Sequence, residues 1–262
     1  GVCLALILYW VEIATSARLI TMITGLQAVM QARFPAPGEQ EYFRLMYGFG
    51  AISRGAALLA LFVWPAMYCC ILLSPERGKG KWLAAALVLG VFVTIFPLPM
   101  QAAPLAVVVG AAAFLWAWLS PRRAPRLMAV MTITLIGAMP FISYHVARPE
   151  ALGIEKRQLP GSWQHRVEIW HFTAARIAEK PLFGWGFDAS RMIDGGRTQF
   201  VLEQPDGKEV VYPGIGLLPL HPHNGVLQVW LEMGAAGALL VMLMVHGIGC
   251  GLTAIAREYG RL

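Results

Sequence analysis

Charge is scarce in this chain. Of its 262 residues only 14% are Asp, Glu, Lys or Arg, while 57% are hydrophobic. Soluble domains carry about 25% charged and about 45–50% apolar residues. The shortfall argues against a soluble enzyme, a nucleic-acid-binding protein and a disordered chain. Cysteine is also sparse. Cys3, Cys69, Cys70 and Cys250 all lie in apolar stretches, where free cysteine behaves as a small hydrophobe. The long polar segment has none, so nothing there points to a disulfide scaffold or a Cys-ligated metal. Several catalytic signatures are missing as well: HExxH, GxSxG, a P-loop, a Gly-rich dinucleotide turn and Asp-x-Asp. There is no repeat of 20–50 residues and no low-complexity tract. The chain opens at Gly1 inside an apolar run, with neither Met nor a charged leader, and so reads as part of a longer membrane protein.

What is present is a series of apolar runs long enough to cross a bilayer, which takes about 20 residues. Six spans are expected: 3–31, 45–73, 82–97, 101–119, 127–146 and 223–256. The third and fourth flank the breaker Phe96-Pro97-Leu98-Pro99 and have basic residues at both outer ends, Lys79 and Lys81 before and Arg122, Arg123 and Arg126 after. Basic short loops stay in the cytoplasm, so a hairpin fits there and one bent helix does not. The same rule orders the whole chain. Segments 74–81, 120–126 and 257–262 hold eight Lys/Arg against Glu76 and Glu258, while 147–220 holds nine of each sign. The net charge of +6 is therefore the charge of the short basic loops. Alternation places these inside and the segment 147–220 outside. The expected fold class is an all-α, polytopic transmembrane bundle of about six spans with a large outer loop. It divides as 1–146, the first five spans; 147–222, the loop; and 223–262, the last span and a cytoplasmic tail.

The loop is not disordered in composition, since it holds Trp163, Trp170, Phe172, Trp185 and Phe187. Residues 163–179 form an expected amphipathic helix, with Ser162 as N-cap and Val167, Trp170, Ala174 and Ile177 on one face. Such a helix can lie on the membrane surface. Lys180 to Gly186, rich in Gly and Pro, ends it, and 195–222 returns the chain to the last span.

The strongest constellation runs from His221-Pro222-His223-Asn224 through Gln228 and Glu232 to Gly234 and Gly237. A helix starting near Asn224, capped by it, would align Asn224, Gln228 and Glu232 on one face. Polar side chains at membrane depth face a bundle interior or a wet cavity, so Gln228 and Glu232 read either as interhelical hydrogen-bonding glue or as part of a site. His223, beside a helix start at the membrane surface, reads as a site. The second feature is Arg54, in Ser53-Arg54-Gly55, about ten residues into a span. It must snorkel, pair (Glu232 is one candidate) or act on substrate. The third is Arg166, one turn before Trp170. The topology puts all three on one side of the membrane. Arg18 and Glu12 in the first span have no assigned partner. With no Asp-x-Asp to hold Mg²⁺, a diphosphate would meet arginines, which match phosphate oxygens in bidentate fashion.

These residues resemble the O-antigen ligase/polymerase family of bacterial membrane glycosyltransferases. The likeness rests on His223-Asn224, then nine residues, then Gly234-x-x-Gly237; on Ser53-Arg54-Gly55 in a span; and on Arg166-x-x-x-Trp170 followed by Pro181-x-x-Gly184-x-Gly186. It covers roughly residues 45–256, and family members have about twice as many spans. The resemblance implies a bacterial inner-membrane enzyme with its site facing the periplasm. It would take an undecaprenyl-diphosphate-linked glycan as donor and a lipid A-core sugar as acceptor. In other branches the acceptor is a carrier-linked glycan, as for an O-antigen or exopolysaccharide polymerase, or a protein Ser or Thr. Family ligases are inverting and metal-independent, and use no cofactor. The residue chemistry agrees: Arg54 and Arg166 would hold charge developing on the departing diphosphate, and His223, or failing it His221, would take the acceptor's proton. Asn224, Gln228, Glu232, His221 and Trp170 would contact substrate, although Trp170 reads better as an anchor for the loop helix. Expected partners are the glycan donor, the acceptor and membrane lipids, and no nucleic acid. A lipid-linked sugar transporter or flippase is the rival from another class. It would need polar residues through the depth of several spans, whereas 82–97 and 101–119 are almost wholly apolar. If Arg54 grips a diphosphate by its fork, Arg54→Lys loses glycan transfer in membranes, whereas a snorkelling arginine tolerates the change.

Overall fold

The computed structural model describes residue 11 and residues 37–74, 76–96 and 102–259. The expected first span, with Glu12 and Arg18, lies outside the described residues. The remaining chain is a polytopic helical membrane protein. Five of its helices are long and apolar enough to cross a bilayer, over Gly55–Leu73, Gly78–Ile95, Ala102–Leu119, Ala124–Val146 and Gly225–Glu258. Two compact units divide at residues 119 and 120.

In the first unit, α1 (Pro37–Leu73) packs against α2 (Arg77–Ile95) and α3 (Ala102–Leu119). The expected hairpin of spans is thus two separate helices. Contact is made through small residues: Ala56, Ala60 and Val63 of α1 are buried with Val91 and Ile95 of α2 and Ala103 and Val107 of α3. Small side chains let helix backbones approach where lipid offers no hydrophobic drive for association. The Trp64 indole donates across the gap to the Val107 carbonyl at 3.2 Å.

In the second unit, α4 (Ala124–Phe141), extended by a π-turn at Ile142–Val146, packs along the last helix, α6 (Gly225–Tyr259). The Trp230 indole ties them by donating to the Ile136 carbonyl at 2.8 Å. Between them in sequence, α5 (Gly161–Glu179) covers the start of α6. Its buried stripe is Ile169, Thr173, Ala174 and Ile177, together with Gln164. That is turned from the expected face, on which Val167 and Trp170 are only half-buried. The helix also begins before Ser162. Pro160 occupies the cap and no side chain closes it, so Ser162 lies in the first turn. The return segment 195–222, expected as plain loop, contains an antiparallel hairpin of β1 (Gln199–Glu203) and β2 (Glu209–Gly216). Gln164 joins it to α5, donating to the Glu203 carbonyl at 2.9 Å and accepting from the Glu203 N–H at 3.1 Å. The first strand is mostly half-exposed, with Phe200 its one buried residue, and leaves little alternation to detect.

The last span is not one continuous helix. Gly234 has φ 61° and ψ −156°, and α6 is two helical arms joined there. Its 35 residues would extend about 52 Å at about 1.5 Å each, far beyond a hydrocarbon core of about 30 Å. The arm from Ala235 to Tyr259 alone reaches about 37 Å. Breaking a helix frees carbonyls before the break and N–H groups after it, which is costly where no water can reach them. Segment 181–186 supplies all four missing partners. The Trp185 and Gly186 N–H groups donate to the Leu231 and Glu232 carbonyls at 2.8 and 3.0 Å; the Ala235 and Ala236 N–H groups donate to the Pro181 and Leu182 carbonyls at 2.8 and 3.1 Å. The approach is so close that glycine is required on both sides. A Cβ on Gly184 (φ 69°) would lie 2.5 Å from the Glu232 backbone, and one on Gly234 would lie 2.5 Å from the Leu182 backbone. Both residues also take a left-handed backbone, which costs other residues about 1–3 kcal/mol. Gly184→Ala and Gly234→Ala are each expected to lower stability by at least about 1–3 kcal/mol, read as a fall in the thermal midpoint of the purified protein. The double variant should cost less than the sum, because both substitutions act on one contact.

Candidate functional site

The site forms where the segment between α5 and α6 turns into α6. Trp170, on α5, donates its indole N–H to the Pro222 carbonyl at 3.1 Å. Pro222 is buried. Two residues on, Asn224 closes the helix start: its Oδ1 accepts from the N–H groups of Val226 and Leu227 at 3.0 and 3.2 Å. This is the N-cap geometry expected of asparagine at this position. His223 is held between these two anchors with φ 52°, a left-handed backbone uncommon for any residue with a side chain. Its N–H donates to Nδ1 of His221 at 3.2 Å, and the two rings sit 4.3 Å apart in an edge-on arrangement.

His223 is open to solvent on one side. Partial burial of its ring lowers its pKa below the ordinary histidine value, and the charges of His221, Arg166 and His165 lower it further. Arg166 is therefore an electrostatic neighbour of His223, and it also lies over the Trp163 ring at 6.0 Å. His165 is fixed by Gly216, whose carbonyl is 2.9 Å from its Nε2. Below the cap, Gln228 donates to Oε1 of Glu232, and that same oxygen accepts the Asp188 N–H at 3.1 Å. Gln228 and Glu232 thus share one face, as the spacing predicts. The Glu232 carboxylate is engaged at the helix break. The Arg54 side chain, its candidate partner, lies outside the described residues.

A cavity of about 680 Å³ opens here, lined by His221, His223, Asn224, Gln228, Leu220 and Arg191 among others. Sequence reasoning missed Arg191. It lies in a short 3₁₀ turn, Ala189–Arg191, within a segment whose charges cancel, so no periodicity or charge excess marks it. The structure thus gathers His221, His223, Asn224, Gln228 and Arg191 around one opening, with Arg166, His165 and Trp170 next to the histidine loop. Among the described residues, no group of three or more His, Cys, Asp or Glu is placed to hold a metal ion.

The family described as O-antigen ligase matches residues 100–242. Among curated proteins, a candidate polysaccharide ligase of Rickettsia felis is 32% identical over 204 residues, covering 78% of this chain and 47% of its own length. A Rickettsia conorii protein of the same description is 30% identical over 204 residues, with 78% and 46% covered. One from Rickettsia prowazekii is 31% identical over 206 residues, with 78% and 47% covered. The chain spans about half the length of the curated relatives it matches. No solved structure matches it.

The cations around His223 make its titration a test of the arrangement. With its pKa lowered, the neutral ring persists to lower pH than in an ordinary histidine, and the charged form grows in only as pH falls through that lowered value. Removing the Arg166 charge takes away one of the causes. Histidine-ring NMR should find the His223 transition below the usual range, and Arg166→Gln should move it upward. An unmoved transition would show that the two groups do not interact.

Proposed function

The chain belongs to the O-antigen ligase family, and we propose that it transfers a glycan from undecaprenyl diphosphate to a sugar hydroxyl of the lipid A core, on the periplasmic face of a bacterial inner membrane. The observation that carries this reading is the cation-ringed histidine pair at the mouth of a cavity, where the outer segment enters a membrane-spanning helix.

The chemistry is a single displacement. The acceptor hydroxyl oxygen attacks the anomeric carbon, the bond from that carbon to the diphosphate oxygen breaks, and its electron pair leaves with the diphosphate. Attack from the face opposite the leaving group inverts the anomeric centre. The proton of the hydroxyl passes to the ring of His223. A neutral imidazole is the form that accepts it, and the neighbouring cations favour that form. Diphosphate departs readily once its growing charge is held. Arg166 is assigned to hold it without a metal ion, the role that the sequence motif also gives Arg54. Asn224 and Trp170 serve by fixing the loop that carries the base, and Gln228 faces the same cavity.

Full-length protein in lipid nanodiscs, supplied with a lipid-linked donor and candidate acceptors, tests the proposal. His223→Ala should lower transfer by about 10²–10⁴-fold, the range for loss of a general base, with protein level and donor binding intact. Wild-type turnover in that variant would remove the base assignment. The product identifies the branch: a modified core lipid, a longer carrier-linked chain or a glycoprotein. Movement of donor across the bilayer with no product would favour a transporter instead.

A further inference from the structure

A second cavity adjoins the first. It has a volume of about 520 Å³ and is lined by Ser190, Arg191, Arg197, Gln199, Leu218 and Leu220 among others. Arg191 and Leu220 line both cavities, so the two are immediate neighbours. Three features mark the second cavity as built for a ligand. Two guanidinium groups, Arg191 and Arg197, stand on one cavity in a segment with no net charge. The Ser190 side chain is 2% exposed and lines the cavity, yet its hydroxyl has no hydrogen-bond partner. A buried polar group without a partner is rare and calls for an explanation. Finally, Arg191 is positioned: its Nε donates to Oδ1 of Asp188 at 2.8 Å, and the Asp188 N–H is held by Glu232 at the helix break at 3.1 Å. That leaves the other N–H groups of the guanidinium fork for an oxyanion.

We propose that this second cavity is part of the acceptor subsite, in which Arg191, Arg197 and Ser190 receive an acidic group, phosphate or carboxylate, on the acceptor saccharide while its reactive hydroxyl lies at His223 in the neighbouring cavity. The inference rests on the reading of His223 as base and adds to it the class of acceptor. Among the described residues, the second cavity is lined by segment 190–220, outside all five membrane-spanning lengths. It therefore suits the water-exposed part of a glycan and not a lipid tail. Leu218, Pro219 and Leu220 give it an apolar wall, which matches the C–H face of a sugar ring.

The test uses full-length protein in nanodiscs, titrated with glucose 6-phosphate, glucuronic acid, glucose and inorganic phosphate by saturation-transfer NMR. At least one of the two acidic sugars should bind ten or more times tighter than glucose, and also tighter than inorganic phosphate; which one does so distinguishes phosphate from carboxylate. Arg197→Ala should abolish that preference, and Arg197→Lys, which keeps the charge and guards against misfolding, should retain most of it. In transfer assays with an acidic acceptor, Arg197→Ala should raise the acceptor KM at least tenfold and leave the donor KM unchanged. The proposal is overturned if glucose or inorganic phosphate binds as well as the acidic sugars, if Arg197→Ala keeps the preference, or if the donor KM rises in place of the acceptor KM. Acidic-sugar binding that depends on Arg197, in a protein that transfers nothing, would take down the enzymatic reading and leave the anion-dependent saccharide site standing.

Discussion

The second unit depends on an exchange of main-chain hydrogen bonds. A helix interrupted near a membrane leaves donors and acceptors that lipid cannot satisfy, and here the segment after α5 satisfies them by laying its own backbone against the gap. The same contact settles two further matters. It locks the C-terminus of α5, because Trp185 also donates to the Arg176 carbonyl at 2.8 Å. It also brings the Glu232 carboxylate against the Asp188 N–H, which orders the turn that carries Arg191. A break that would be a defect in isolation becomes the joint on which the segment after α5 is mounted.

The histidine loop shows the same economy. Its position follows from one indole hydrogen bond to the Pro222 carbonyl and one asparagine cap, which bracket His223 and hold it in a backbone conformation it would not choose alone. Strain kept by surrounding structure at an open cavity is what a preorganised group looks like. A side chain presented in one orientation loses little freedom when a ligand arrives.

Much of this was legible in the sequence because the signals are strong ones. Long apolar runs and the sign of short loops gave five of the six spans, the Phe96-Pro97 region separated α2 from α3, and Asn224 announced the start of α6. The shared face of Gln228 and Glu232 followed from spacing alone. Other features left weaker traces. The hairpin after residue 198 is short, half-exposed and shifted in register near Gln199, so it shows no clean alternation. The expected face of α5 was right at Ala174 and Ile177, which are buried, but Trp170 is half-buried with its indole N–H engaging the loop, and further buried places go to Ile169 and Thr173. Gly234 gave no sign of breaking α6, since an isolated glycine in an apolar helix is common in membranes. Only the segment fifty residues upstream makes sense of it.

That joint is made of main-chain atoms and fixes the identity of almost no side chain. Leu182, Trp185, Leu231, Ala235 and Ala236 contribute through N–H and C=O groups that other residues offer equally; only the two glycines are pinned by geometry. Along the chain it therefore surfaces as a pair of thin, glycine-punctuated signatures, one just after α5 and one in α6. A pattern search reads them as separate motifs, yet they are the two halves of a single mortise.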